Sequence, residues 1–597
     1  MRSNAGGEMP SRLVFVDTET LSEEIGNDTV RARLRFGWAC YVRRLADGTY
    51  SRGRWHRFTR PTAFWRWCLA RALPRTKLYV FAHNLGFDAQ VLEAFTSLIQ
   101  RGFTLTKAIV DDPPTVLTFR ASTVTVALID SLNIFRMPLA ALGEDIGYVK
   151  LPMPDLDASR EAWDVYCRRD VDVLRQSILN YIHLLQEDDL GNFQITLAAQ
   201  SLTAYRHRFM GHPIFIDDNE KACLLARQGY MGGRTEAFWY GPIPEAIHVY
   251  DINSQYPSVM RNEPMPTKLR SIWSNVSHAE LADILHEGCA VGEVFVASEA
   301  PYFPKRWESR LIFPVGRFWT TLCSPELRRA LDDNRIIAIG RIAVYESAVI
   351  FQEFVDYFYQ RRMEARERGD GARGLMYKLF MNSLYGKFGQ SGRVFEEIGQ
   401  SPDIAFTTWL EKDMETGEVY KVRQIATLMQ RMRNEGESSN SSPAIAAHVT
   451  SAGRVLLQRY IDSAKAENVY YCDTDSLMVN AAGQTRLEPF ESANELGLLK
   501  HEHSVEHAEI WGAKDYVLDG IATIKGVRKN AERIDANTFR QDTFRGLKGM
   551  LRDGDHDRML IKRTVKHLSR VYNKGVISGV GRIQPLHFAE QESNRAG

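Results

Sequence analysis

Short apolar runs of strand length alternate with stretches of helical periodicity over the first 180 residues. The runs at 13–16, 36–42 and 78–82 read as strands of a mixed sheet with helices between them. The pattern predicts one α/β domain over 13–190, preceded by a disordered leader at 1–12. A Gly-Asn-Phe loop at 191–193 opens helical patterning through Phe209. The glycine-rich 229–233 and the proline-bearing 241–246 then precede another strand at 247–250, which puts a domain boundary near 190. Residues 346–368 and 373–386 have helical composition on either side of Gly369-Asp370-Gly371 and predict an antiparallel helical hairpin. A β-hairpin is expected over 405–426, turning at Thr416-Gly417, and paired strands at 289–296 and 336–344. After a polar loop at 436–442, Ser442 and Pro443 give an N-cap and first-turn signal for a helix to about 465, followed by a strand at 468–472.

Carboxylates punctuate this pattern. Asp17 and Glu19 stand at i and i+2 just past the first apolar run, on one face of an extended chain. Alone, such a pair reads as a solvated strand end. Asp88 in HNLGFD and Asp170 in YCRRD change the picture, with Tyr166 one helical turn before Asp170 on the same face. Four carboxylates brought together repel one another, and divalent cations resolve the conflict. Two Mg2+ or Mn2+ ions about 3.5–4 Å apart can activate a water and stabilise the leaving oxygen in phosphodiester hydrolysis. Tyr166 is placed to orient that water, Asn84 to bond the substrate strand or the metal shell, and Phe87 to pack.

A second set lies in the other half. The strand in HVYDINSQYPSVM ends at Asp251, and NVYYCDTDSLMV presents Asp473 and Asp475 in a tight turn between apolar strands. Together they form a second candidate two-metal site. Between them Lys378, Asn382 and Tyr385 fall at i, i+4 and i+7 on one helix face, and across the glycine turn stand Arg362 and Arg366. One lysine and two arginines facing each other suit a triphosphate, with a solvated basic face as the bland alternative.

Composition narrows the class. At 597 residues, 44% apolar and 25% charged, with no apolar run near the roughly 18 residues of a membrane span, the chain reads as a soluble multidomain protein. Its formal charge of +1 conceals an asymmetry: residues 521–597 carry 16 Lys+Arg against 8 Asp+Glu, so that tail is +8 and the remainder −7. Such an imbalance suits a polyanion-binding module joined to acid-rich machinery. The seven cysteines lie too far apart for a CxxC or a Cys-rich zinc site, which implies a reducing compartment. Without a secretory signal, a cytoplasmic location is expected, in a bacterial host or an organelle.

The ordered set VFVDTET, HNLGFD, YCRRD, YDINSQYPSVM, KLFMNSLYGKFG, YCDTDS and AKDY, over residues 13–516, closely resembles family B DNA polymerases, most nearly the protein-primed branch of phages and linear plasmids. The resemblance implies a multidomain α/β fold: an RNase H-like 3′→5′ exonuclease domain followed by a right-hand polymerase of palm, fingers and thumb. By that resemblance Asp17, Glu19, Asp88, Tyr166 and Asp170 match the proofreading positions. Asp251, with Ile252 beside it, and Asp475 match the polymerase metal ligands, and Asp473 the accompanying carboxylate. Lys378 with Arg362 or Arg366 matches the triphosphate contacts, and Tyr256 and Tyr385 the sugar and base pocket, Tyr256 excluding ribonucleotides. Lys514 and Tyr516 match the Lys-x-Tyr motif at the primer end. Tyr230, Gly232 and Gly233 match the Tyr-x-Gly-Gly linker, whose glycines admit the template backbone, and Ser131, Leu132 and Lys150 match further primer-strand contacts.

The implied order is linker and palm over 191–260, an insertion at 261–350, fingers at 351–390, a second insertion at 391–442, palm at 443–520 and a basic thumb at 521–597. The first insertion, with the exposed-looking YFPKRW at 302–307, is the expected dock for a terminal priming protein, and the second the strand-displacement element. Template and primer DNA, dNTPs and the priming protein are the expected partners of a monomer. Self-priming synthesis, a nuclease with a non-catalytic DNA-binding half, and a non-catalytic accessory subunit are the alternatives. His503 and His507 would share a metal only if helical, and a solvent-facing cluster is the expected reading.

Overall fold

The first apolar run nucleates a strand that does not stop at the carboxylates. In a computed structural model, which describes every residue except 112, 435, 436, 439, 578–580 and 590–597, the strand Arg12–Gly26 carries Asp17 and Glu19 within it rather than past its end. Thr18 and Thr20, both β-branched, keep the ladder going. It pairs antiparallel with Thr29–Arg43 and parallel with Lys77–Ala82, which in turn lies parallel to Val124–Asp130. Both faces are covered, as parallel strands require. The helix Arg160–Glu187 buries Val171, Ile178 and Tyr181 against Leu13 and Phe15 on one side, while Phe64, Trp65 and Leu98 pack against Val14 and Val80 on the other.

The basic tail is joined to the first domain through its sheet. Its hairpin, Thr538–Phe544 with Met559–His567, extends this sheet to ten strands by pairing Met559–Lys562 with the outer end of Thr29–Arg43. That strand is longer than its apolar run at 36–42 predicts, and the surplus would otherwise be an unpaired edge. The leader is a second correction. Pro10 O accepts from the Tyr50 hydroxyl, Glu8 O accepts from Phe193 N at 2.9 Å, and Asn4 N donates to Arg206 O, so residues 1–11 lie along the 191–209 segment instead of being disordered.

A second sheet of five strands places Ile247–Ile252 between Leu499–Val505 and the hairpin Val469–Asp473, Ser476–Val479. Because Leu499–Val505 is a strand, His503 and His507 never share a helical face. The first insertion forms a third sheet around Cys289–Ser298 and Ile336–Ala348. The latter strand runs on through 346–348, where helical composition had predicted the first helix of the hairpin to begin. That helix starts at Gln352 and ends at Glu367, and its partner spans Gly371–Phe388. In YFPKRW, Phe303 is buried at 1% exposure, and only Arg306 and Trp307 stand out. The second insertion is the long hairpin Arg393–Lys412, Val419–Asn434, turning through Asp413–Glu418. Part of the loop expected over 436–442 lies outside the described residues. Among those described, no helix is long and apolar enough to cross a membrane.

The helix Pro443–Ala464 runs beside the second sheet and the helical hairpin. Its Ser442 makes no side-chain cap, contrary to the sequence signal; Pro443 at the first turn fits the helix without a donor. A buried ion pair joins this helix to the first insertion. Arg454 donates through Nε and Nη2 to Glu326 at 2.8 and 2.9 Å, Ser451 adds a third bond at 2.9 Å, and Arg454 Nη1 holds Gly232 O at 2.5 Å. Both charged side chains are 4% exposed or less. Removing one partner strands the other in a medium that cannot solvate it. Glu326→Ala is expected to cost about 3–5 kcal/mol of unfolding free energy in urea denaturation; a cost below about 1 kcal/mol would show that the pair does not hold the insertion in place.

Candidate active sites

At the first site the backbone does the positioning. Asp17 and Glu19 lie on adjacent same-face positions of a central strand, and the long helix, capped by the Ser159 hydroxyl on Ala162 N, brings Asp170 against them. Asp88 sits in the short helix Leu85–Val91, entered through Asn84 at φ 68°. Asp130, a residue with no motif to mark it, locks that entry: its carboxylate accepts from Asn84 N and Leu85 N at 3.0 Å each and from Leu132 N at 2.9 Å. Asn84 is exposed at the rim, and Phe87 packs among Ala32, Val91 and Met559.

Burial and repulsion act together here. Desolvation, then the neighbouring Asp88 and Asp170 charges, hold the Asp17 carboxyl well above the ordinary carboxylate range. Burial likewise pushes Glu19 and Asp88 up to about 7, and raises Asp170 against the pull of Lys150. Lys150 Nζ bonds Asp170 and, at 2.8 Å, the Tyr166 hydroxyl, while Thr18 donates to Asp88 at 2.7 Å. Asp170 Oδ1 is buried with no partner among the described residues. Tyr166, 6% exposed, is engaged with Lys150 rather than open to a water. Ser131 is fully buried, with its hydroxyl 2.8 Å from His83 Nδ1.

The second site is a cleft of 480 Å³ between the central strand of the second sheet and the helical hairpin. Asp251 lies opposite Ser476, one residue before its strand ends, and Ile252 N donates to Asp475 O at 2.6 Å, so the Asp-Thr-Asp turn is tied to the Asp251 strand. Asp251 and Asp475 line it from the sheet, Arg362, Arg366, Lys378, Asn382 and Tyr385 from the helical hairpin, and Tyr256 from the helix Gln255–Asn262. Burial, then the charge of Asp475, pushes the Asp251 carboxyl up to about 7, and burial raises Asp475 too. Asp473 does not join them. It accepts from Thr235 Oγ1 at 2.9 Å and pairs with Lys514 Nζ at 2.5 Å, outside the cleft lining.

The family model for DNA polymerase type B, organellar and viral, matches residues 158–466, just over half of the chain. The chain belongs to this family. It is 28% identical over 398 residues to the DNA-directed DNA polymerase of Enterobacteria phage PRD1, an alignment covering 65% of this chain and 66% of that protein. It is 26% identical over 306 residues to a protein of Ascobolus immersus named a probable DNA polymerase, covering 50% of this chain and 24% of that one. The chain thus spans only part of the length of these relatives. The fold is that of Phi29 DNA polymerase, solved with primer-template DNA: TM-score 0.65 at 15% identity, over 94% of this chain and 100% of that one.

Within this family B fold the remaining motif residues are placed as follows. Gly232, at φ 84°, needs the left-handed freedom that glycine has. Gly233 instead gives room to protein: a Cβ there would stand 2.8 Å from the Thr474 side chain and 2.9 Å from the Tyr256 hydroxyl. Tyr230 packs over Gly389, and Tyr516 lies against Tyr471 with ring centroids 5.4 Å apart. Lys500 and Glu502 also line the cleft and were missed by the sequence reading. They sit in the same KHEHSVEH stretch as the histidines, but their facing depends on a bulge: His501 pairs with Tyr250 and His503 with Val249, leaving Glu502 unpaired between them.

Both donor sets fit divalent cations. Each is a cluster of hard oxygen ligands whose charges are disfavoured as they stand, and the first contains a buried carboxylate oxygen in want of a partner. The Ile252 side chain is fully buried, so only its main chain can contribute. A pH dependence follows from Asp251. Its folded value of about 7 lies above the ordinary 3.8, so the folded state holds a proton that the unfolded chain releases between those values. The stability this group contributes is full below about pH 4 and is lost as pH rises through 7. In metal-free protein, Asp251→Asn is expected to flatten the fall in melting temperature between pH 5 and pH 8, and Mg2+ to stabilise the wild type at pH 8. An unchanged pH slope in the variant would count against the buried, repelled carboxyl.

Proposed function

We propose that the chain is a DNA-templated DNA polymerase with a separate proofreading 3′→5′ exonuclease site, working in the cytoplasm or an organelle on a linear genome. The observation that carries this reading is the cleft in which two repelling carboxylates face two arginines and a lysine, a charge pattern that fits a metal-bound triphosphate. Solved complexes of the Phi29 polymerase hold primer-template DNA and incoming nucleotides, which supports the same occupants here.

At the polymerising cleft Asp251, the Ile252 main chain and Asp475 would hold divalent cations, which supply charge neutralisation and lower the pKa of the attacking hydroxyl. Arg362, Arg366 and Lys378 bind the triphosphate oxygens and orient the α-phosphate toward the primer 3′-oxygen. Of the two arginines, Arg362 is the better placed: it is part-buried and reaches Ser254 on the Asp251 side, whereas exposed Arg366 is drawn to Asn494. Asn382 and Tyr385 support the base, and Tyr256 stands where a 2′-hydroxyl would be. Lys514, paired to Asp473, is available to the primer terminus beside Tyr516. At the other site Asp17, Glu19, Asp88 and Asp170 would hold the cations for hydrolysis, Lys150 and Tyr166 fixing Asp170 in place. The basic hairpin of the tail and a 350 Å³ hollow edged by Lys525, Lys566, Arg570 and Lys574 bind duplex phosphates without reading sequence. Strand displacement falls to the long hairpin of the second insertion, and initiation to a terminal protein whose hydroxyl replaces the primer end.

The two chemistries use independent carboxylates and are therefore separable. Asp475→Asn is expected to lower nucleotide incorporation by roughly 100-fold or more while sparing degradation of single-stranded DNA, and Asp17→Ala with Glu19→Ala to do the reverse. Loss of both activities in either folded, DNA-binding variant would sink the two-site assignment. For priming, deletion of the whole 297–310 segment would tear out buried Phe303, so the cleaner probe is Arg306→Ala with Trp307→Ala. Extension of a DNA primer should persist while initiation at a genome end with the terminal protein falls roughly 10-fold or more. Unimpaired terminal initiation would remove this segment as the dock, and robust synthesis on an unprimed circle by the purified chain would establish self-priming instead.

A further inference from the structure

Tyr256 sits in a slot backed by two glycines. Its ring lies against Gly453, in the middle of the helix Pro443–Ala464: a Cβ on Gly453 would stand 2.9 Å from Cε1 and 3.3 Å from Cδ1 of the ring. Its hydroxyl lies against Gly233, where a Cβ would be 2.9 Å away. Tyr385 closes the other side, with centroids 4.5 Å apart and planes tilted by 43°. The neighbouring Gln255, 2% exposed, pins the same helix to the Asp-Thr-Asp turn, donating to Gly453 O at 3.0 Å and Thr474 O at 2.8 Å.

The backbone does not ask for glycine at 453. The residue is helical, has no positive φ, and glycine is a poor helix former beside alanine. What the missing Cβ provides is room for the tyrosine ring. Tyr256 and Tyr385 line the nucleotide cleft, whereas Gly453 and Gly233 do not, so the glycines lie behind the ring as seen from the cleft. A methyl group at 453 would press on the Tyr256 ring most closely, and at 3.3 Å on Gln255 Oε1.

We propose that Gly453 is a specificity-determining residue of the polymerising site. By omitting a Cβ it sets the depth at which the Tyr256 ring stands, and so the clearance left for the sugar of the incoming nucleotide. The inference rests on the reading of Tyr256 as the barrier to a 2′-hydroxyl. A ring advanced by a methyl behind it crowds deoxyribose as well, because steric exclusion discriminates only while the permitted substrate still fits.

The test is a cycle of Gly453→Ala, Tyr256→Val and the double variant, using the full chain with Mg2+ on a primed template and reading KM and kcat for deoxy- and ribonucleotides. Gly453→Ala is expected to raise the deoxynucleotide KM roughly 10-fold with little change in kcat. In the Tyr256→Val background the same substitution should change KM less than about twofold, since no ring is left to displace. An unaltered KM for Gly453→Ala, or an equal rise in both backgrounds, overturns the inference. The reading of Tyr256 fails by a different signature: an unchanged ratio of ribo- to deoxynucleotide kcat/KM in Tyr256→Val alone. Melting temperatures separate folding from function. Should Gly453→Ala melt lower, the double variant relieves the clash and must recover; failure to recover also overturns the proposal.

Discussion

Carboxylates held closer together than their charges favour are the constraint on which both sites depend. Asp17, Glu19, Asp88 and Asp170 at one site, and Asp251 and Asp475 at the other, are all raised by loss of water; carboxylates of the same site push Asp17, Glu19 and Asp251 further, Asp130 and Glu19 do so for Asp88, and Asp473 does so for Asp475. Such clusters persist only on backbone that cannot relax. Two central strands, a 28-residue helix and a tight turn supply that rigidity. Lys150 offsets part of the repulsion at the first site, and Lys378 and Lys500 do so more weakly at the second.

The opposite wall of the second cleft has the same character with the sign reversed. Arg362 is held below its ordinary value by burial and then by Arg366, so the arginines repel each other as the aspartates do. Each wall is unfavourable alone, and a cation-bound polyphosphate between them relieves both at once. This is why the cleft reads as a binding site rather than a set of ion pairs: its opposite charges come from different elements, and Arg362 and Arg366 bond Ser254 and Asn494 instead of the aspartates.

The two sites share a scaffold. The tail hairpin completes the sheet that carries Asp17 and Glu19, and the short helix Leu547–Asp553 beside it buries Leu547 and Leu551 in the same cluster as Leu105 and Leu117. Phe406, Ile425 and Leu428 of the second insertion enter that cluster as well. Elements from three separate stretches of sequence are thus packed into one core, so the basic tail and the long hairpin are positioned by the domain of the first sheet and not only by that of the second.

Local spacing made much of this legible. Asp17 and Glu19 two residues apart, the Asp-Thr-Asp turn, and Lys378, Asn382 and Tyr385 on one helix face are fixed by the period of a strand, a turn or a helix, and the sequence alone determined them. It also determined the charge split of the tail and the two helices of the hairpin. What only the tertiary structure decided are relations between distant strands. The diversion of Asp473 to Lys514, the entry of Lys500 and Glu502 through a bulge, the locking of Asn84 by Asp130, and the joining of the tail to the first sheet all arise from pairing across long stretches of chain. Such pairing is set by which edges and surfaces are left to cover once the local elements have formed, and residue spacing does not record it.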